Sequence, residues 1–126
     1  MNAIEQYVAP TSLAQALDCL SRGEVTVLAG GTDLMPQSAG GKVKLRPTLM
    51  NIRRVPELTG IARDGDAIRI GALVTVTEMM RDALVREHLP VLVEAGDHFA
   101  SDQIRNAATL GGNVNNASPA GDLLVP

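Results

Sequence analysis

The run Val25-Thr26-Val27-Leu28-Ala29 is apolar almost without interruption and passes directly into Gly30-Gly31-Thr32-Asp33. An unalternated run this short suits a strand covered on both faces, as in a parallel sheet. The glycines impose a turn, and Leu34-Met35-Pro36 then offers a short helix. Upstream, Thr11-Ser12 offers an N-cap, Leu13, Leu17 and Leu20 recur at helical spacing, and Gly23 closes the element. Downstream, Ser38-Ala39-Gly40-Gly41-Lys42 reads as a loop and Thr48-Leu49-Met50-Asn51-Ile52 as a second buried strand. A helix laid beside two apolar strands makes a small α/β layer, expected over residues 1–56.

The pattern changes after Pro56. Thr59-Gly60-Ile61-Ala62-Arg63 and Ala67-Ile68-Arg69-Ile70-Gly71-Ala72 flank Asp64-Gly65. Asp-Gly between such segments is a hairpin signal of the type I′ turn, which needs positive φ at both central residues. A second, α+β subdomain is therefore expected over residues 57–126. Thr75-Val76-Thr77-Glu78 has the spacing of a capping box and should open a helix. Another helix fits residues 90–99, with Pro90 in its first turn and Val91, Leu92, Ala95 and Phe99 on one face. From Ala107 to Asp122 the chain is small and polar and reads as an extended loop. The apolar element Leu123-Leu124-Val125-Pro126 then begins as the sequence stops. That ending is expected of a truncated chain or of one half of a split subunit, poorly stable without a complementing C-terminal fragment.

Composition narrows the function classes. The chain has 126 residues, 45% of them hydrophobic, which fits an ordinary globular core. One Tyr, one Phe and no Trp leave few stacking platforms for single-stranded nucleic acid. Eleven Lys and Arg against 14 Asp and Glu give a net charge of −3, which draws the chain neither to nucleic acid nor to an anionic membrane. A phosphate ligand would have to be gripped locally. Cys19 is the single cysteine, so a disulfide within the chain and a cysteine-rich metal site are excluded. Met1-Asn2-Ala3-Ile4-Glu5 lacks the basic and apolar regions of a signal peptide, and a cytoplasmic location is the default reading.

Two segments carry candidate chemistry: Ala29-Gly30-Gly31-Thr32-Asp33 and Thr109-Leu110-Gly111-Gly112-Asn113. A diphosphate is well held by backbone N–H groups that converge at a tight turn. Glycine permits positive φ there and, lacking Cβ, lets a phosphate approach the main chain. Thr32 adds a hydroxyl donor, and Asp33 is expected either to cap the helix after it or to accept from a ligand hydroxyl. Asn113 both donates and accepts, and Asp122 suits a ribityl or sugar hydroxyl. Each segment also suits a plain turn or linker, and neither has the spacing of the dinucleotide fingerprint or the Walker loop. The residues alone therefore reach only a phosphate-containing ligand. His88 and His98 lack metal-pair spacing and read as surface residues, and Arg105-Asn106, able to touch a ligand, reads first as a solvated helix face. Met79-Met80 and Phe99 read as core, with Phe99 also able to wall an aromatic ring. Cys19 reads as a partly buried free thiol.

Taken together, these segments resemble the FAD-binding subunit of the molybdenum hydroxylases, the group of xanthine dehydrogenase, carbon monoxide dehydrogenase and 4-hydroxybenzoyl-CoA reductase. The resemblance covers essentially the whole chain. It opens at Tyr7-x-x-Pro10 and runs through Leu28-Ala29-Gly30-Gly31-Thr32-Asp33-Leu34, Ile68-Arg69-Ile70-Gly71-Ala72 and Ile104-Arg105-Asn106. It ends in Thr109-Leu110-Gly111-Gly112-Asn113 and Ala117-Ser118-Pro119-Ala120-Gly121-Asp122. It implies an α/β (α+β) fold of the two-subdomain FAD-binding PCMH/vanillyl-alcohol-oxidase type, of which this chain is the N-terminal portion. It implies that Val27, Leu28, Ala29, Gly30, Gly31, Thr32, Asp33 and Leu34 form one FAD segment. Thr109, Leu110, Gly111, Gly112 and Asn113 form a second, and Phe99 and Asp122 match cofactor contacts. No catalytic side chain and no metal ligand are implied on this chain. The implied role is electron transfer. Electrons leave a molybdopterin-binding large subunit, cross the clusters of an iron–sulfur subunit, and reach FAD, which passes them to NAD, oxygen or another acceptor. Family members run well beyond residue 126, and the four-cysteine insertion of the benzoyl-CoA branch is absent. Two rivals are a stand-alone flavin oxidase, which would need acid or base groups not found here, and a non-catalytic assembly module that keeps the fold.

Overall fold

The computed structural model describes residues 4–124. Met1-Asn2-Ala3 and Val125-Pro126 lie outside the described residues, and with them part of the N-terminal reading and the end of the expected apolar element. The chain forms two compact units, Met1–Glu57 and Leu58–Pro126.

The first unit runs β1 (Gln6–Val8), α1 (Leu13–Ser21), β2 (Val25–Leu28), α2 (Leu34–Ala39), β3 (Thr48–Asn51). All strand pairs are parallel, and the order is β1-β3-β2. The central strand is therefore β3, where Leu49 and Met50 are buried, Met50 completely. Burying a methionine fully contributes roughly 1.5–3 kcal/mol. The strand β2 is an edge strand. Val27 is 42% exposed, so the expectation of a strand covered on both faces is corrected. The unexpected β1 is three residues long, too short to show a pattern, and is defined by its register Tyr7↔Leu49.

Ser12 caps α1 by accepting from the Gln15 amide, and the Glu57 carboxylate accepts from the Leu13 amide. The helix buries Ala16 alone, while Leu17 and Leu20 remain 56% and 42% exposed. Leu17 follows Ala16 directly and is turned about 100° from it. The expected leucine face is only partly covered. Cys19 is half-buried, as expected. Ser38 and Ala39, expected in a loop, belong to α2.

The second unit begins with the hairpin β4 (Ile61–Asp64) and β5 (Ala67–Ile70). Asp64 pairs with Ala67, so the two-residue loop is Gly65-Asp66. Gly65 has φ +59° and Asp66 is not among the residues of positive φ. That is the glycine-first pattern of a type II′ turn and replaces the expected type I′. Five helices follow: α3 (Val76–Arg81), α4 (Ala83–His88), α5 (Pro90–Asp97), α6 (Asp102–Ala107) and α7 (Leu110–Asn116). Thr75 and Glu78 form the expected capping box on α3, and Pro90 occupies the first turn of α5. The core joins Val74, Val76, Met79, Val85, Phe99, Ala108 and Leu123. Val91, expected on the covered face of α5, is 48% exposed. Gly96 lets α3 and α5 meet closely, since a Cβ there would stand 2.6 Å from Met80 Sδ.

Candidate functional site

The first glycine segment leaves β2 at its carboxyl end. Gly31 takes φ +75°, a conformation that costs an L-residue with a side chain roughly 1–2 kcal/mol. A Cβ there would meet Leu28 Cδ1 at 3.1 Å and Met35 Cγ at 3.2 Å. Two of its carbonyls are used: Gly31 O accepts from Met35 N at 3.1 Å and Asp33 O from Gln37 N at 3.0 Å. Its donors are not. Among the described residues, the amides of Gly30, Gly31, Thr32, Asp33 and Leu34 donate to no group of the chain. Asp33 stands at the N-cap position of α2, but its side chain makes no capping hydrogen bond. The capping role expected for it is corrected.

The second segment, in the other unit, is built differently. It was expected to be a loop, yet Thr109 is the N-cap of α7 and its Oγ1 accepts from Gly112 N at 3.0 Å. Leu110 N donates to Val74 O and Gly111 N to Ala72 O, both at 2.9 Å, and Asn113 N donates to Thr109 O at 3.0 Å. Val76 N donates to Ala108 O at 3.0 Å, so this strap is stitched to residues 72–76. The amides expected to face a phosphate are therefore already satisfied within the unit. A Cβ on Gly111 would stand 2.7 Å from Ala72 Cβ, and one on Gly112 2.8 Å from the Thr109 hydroxyl. Close backbone approach explains Gly111 without a ligand. Leu110 packs against the core, and Thr109 is buried. Groups still on offer are the Thr109 hydroxyl proton and the Asn113 side-chain amide, whose Oδ1 accepts from Leu123 N at 3.3 Å.

Phe99 is 8% exposed and belongs to the core cluster. Asp122 is exposed, one residue before buried Leu123. His88 and His98 are both exposed; His98 Nδ1 shares a hydrogen bond with Glu94 O at 2.9 Å. No group of three or more metal-ligating side chains occurs among the described residues. Among them no helix is long and apolar enough to cross a membrane.

Sequence reasoning missed the role of Arg105. Its guanidinium donates to Gly96 O at 3.2 Å and Asp97 O at 3.1 Å and pairs with Asp102, leaving the side chain 19% exposed. It is a tie between α6 and the end of α5 rather than a solvated face. A cation near the last carbonyls of a helix was the available signal, but the helix concerned is the preceding one.

Comparison with known proteins identifies the family. Residues 2–126 match the family described as the FAD binding domain in molybdopterin dehydrogenase. The nicotine 6-hydroxylase medium subunit of Paenarthrobacter nicotinovorans is 36% identical over 118 residues, covering 93% of this chain and 41% of that protein. The carbon monoxide dehydrogenase medium chain of Hydrogenophaga pseudoflava is 34% identical, again over 93% of this chain and 41% of its own length. A solved structure of carbon monoxide dehydrogenase from H. pseudoflava, lacking the Mo-pyranopterin moiety of its cofactor, superposes with TM-score 0.90 at 31% identity. It covers 98% of this chain and 43% of that one. The chain thus spans about two fifths of the length of these relatives. By sequence and by fold, the chain belongs to the family of FAD-binding domains of molybdopterin dehydrogenases.

Proposed function

We propose that this chain is the cofactor-holding front of an oxidoreductase flavoprotein subunit, working beside an iron–sulfur subunit and a molybdopterin-binding large subunit. The observation that carries the reading is the set of unspent amides from Gly30 to Leu34, opening at the carboxyl end of a parallel strand. Ligands of open α/β sheets bind at such ends, and convergent amides suit a diphosphate. The donor set therefore fits the anionic part of FAD. Val27, Leu28 and Ala29 lead into it, Gly31 supplies the turn, and Thr32 adds a hydroxyl. Within the second unit taken by itself, the Thr109 hydroxyl, the Asn113 amide and the exposed Asp122 carboxylate have hydrogen-bonding capacity to spare. Leu110, Gly111 and Phe99 act through packing, holding Thr109 and Asn113 in place.

FAD, when bound, supplies one- and two-electron chemistry; this chain supplies position and electrostatics. On this reading electrons arrive from iron–sulfur clusters on the partner and leave to NAD or another acceptor. The test is the visible spectrum and flavin content of the purified native complex, with and without Gly31→Val. The expected result is a yellow wild-type complex and a variant that loses its flavin, because a branched side chain fits neither the φ of +75° nor the space beside Leu28 and Met35. A colourless assembled wild-type complex would favour the assembly-module reading. Full flavin content in the variant would overturn the role given to Gly31.

A further inference from the structure

We infer that Arg53 and Arg54 supply the positive charge that holds the cofactor's diphosphate at the carboxyl edge of the parallel sheet, an inference that rests on the cofactor reading above. The chain carries a net charge of −3, so no global field draws an anion to it. Its cations are unevenly placed. Residues 34–56 contain Lys42, Lys44, Arg46, Arg53 and Arg54 and no carboxylate.

Topology sorts these five. Lys44 and Arg46 precede β3 and stand at its amino end, where Thr48 N donates to Glu24 O and Arg46 pairs with Glu24 at 3.3 Å. Lys42 lies earlier on the same approach. Arg53 and Arg54 follow β3 and stand at its carboxyl end. Because β2 and β3 are parallel, with Leu28 opposite Asn51 and Ile52 N donating to Leu28 O at 3.0 Å, Gly30–Gly31 and Arg53–Arg54 leave the sheet at the same edge. Both arginines are exposed, and neither makes an ion pair among the described residues. Their backbone is fixed where it departs: Asn51 Oδ1 accepts from Arg53 N at 3.0 Å, and Asn51 Nδ2 donates to the Tyr7 hydroxyl at 2.8 Å.

Unspent amides and two unpaired guanidiniums on one edge make a mixed anion site. The amides give direction, and the guanidiniums give charge and planar two-point contacts to phosphate oxygens. Asp33 also follows β2 and brings a carboxylate to that edge. A diphosphate seated there needs more countercharge than the amides provide, and a pair of arginines meets that need.

The experiment uses the full-length subunit in its native complex, stripped of flavin and titrated with FAD at low and high ionic strength. Wild type is compared with Arg53→Ala/Arg54→Ala and with the double Lys variant. FAD affinity is expected to fall roughly tenfold or more in the double Ala variant at low salt, and by less at high salt as screening removes the difference. The melting temperature of the apo form should stay unchanged, and Arg53→Lys/Arg54→Lys should recover only the part of the affinity that charge alone supplies. Unchanged FAD affinity in the double Ala variant, against a wild type that binds, would overturn the arginine inference and leave the cofactor reading standing. A loss insensitive to salt and accompanied by a lower melting temperature would assign the pair a structural role and also overturn it. A wild type that takes up no FAD would overturn both.

Discussion

The two glycine pairs look alike in sequence, each following an apolar stretch with threonine beside it, yet the structure uses them for opposite purposes. Around Gly30-Gly31 the carbonyls of Gly31 and Asp33 are engaged and the amides are left open. Around Gly111-Gly112 the amides are engaged, by Ala72, by the Thr109 hydroxyl and by the turn itself. Gly31 is needed for its φ; Gly111 is needed because the Ala72 segment runs too close for a Cβ. Paired glycines therefore mark a place where at least one backbone position tolerates no side chain. Whether that backbone has donors to spare depends on which neighbour the fold brings to it.

The largest expected effect separates the pairs directly. Gly111→Ala places a Cβ 2.7 Å from Ala72 Cβ and 2.8 Å from the carbonyl that accepts the Gly111 amide. Overpacking and a weakened hydrogen bond together should cost about 3 kcal/mol. Gly31→Ala meets only side-chain atoms, Leu28 Cδ1 at 3.1 Å and Met35 Cγ at 3.2 Å, and should cost about 1 kcal/mol for its φ. Urea unfolding of the two variants in the full-length subunit checks this; equal losses would remove the distinction between the pairs.

Arg105→Ala comes next. It removes two hydrogen bonds from a charged donor to the α5 carbonyls and the pair with Asp102, and should cost about 2 kcal/mol. Because α6 leads straight into Ala108 and Thr109, hydrogen exchange at residues 109–113 should speed up in this variant while residues 30–34 remain as in wild type. Acceleration at both segments would mean that the tie is not local.

Thr109→Val should cost about 1 kcal/mol, the usual loss of an N-cap, and Thr109→Ser should restore most of it. The same cap shows what sequence could and could not reveal. Where a local signal is strong, the element was legible: the capping box at Thr75 and Glu78, Pro90 opening α5, the hairpin around Gly65, and β3 as a buried strand. The helix α7 was not, because two glycines lower its propensity by about 1 kcal/mol each and no apolar period marks it. Its stability comes from residues 72–76, some 35 positions away in sequence. The edge position of β2 was hidden for the same reason, since the order β1-β3-β2 is decided by a three-residue strand with no pattern of its own. The paired glycines of both segments were legible as special backbone, but the state of their donors is a tertiary property, and so is the reach of Arg105 back to α5.

The smallest expected effect on stability concerns the residue that fits neither scheme. Asp33 places a carboxylate beside open amides where a phosphate is proposed to sit, an arrangement that repels the ligand unless the carboxylate has another partner. A capping bond would have explained it, as it explains Thr109, but the Asp33 side chain makes none. Water satisfies an exposed carboxylate, and the proposed use for this one is a hydroxyl of the same ligand. Asp33→Ala should therefore change stability by less than about 0.5 kcal/mol. It should weaken FAD binding nonetheless, whereas simple repulsion between carboxylate and phosphate predicts that it strengthens. Asp33→Asn sharpens the choice, because it keeps an acceptor oxygen and removes the charge. If the carboxylate serves a hydroxyl, Asn should fall between Asp and Ala in affinity. If charge alone matters, Asn and Ala should bind FAD equally well, and both better than wild type.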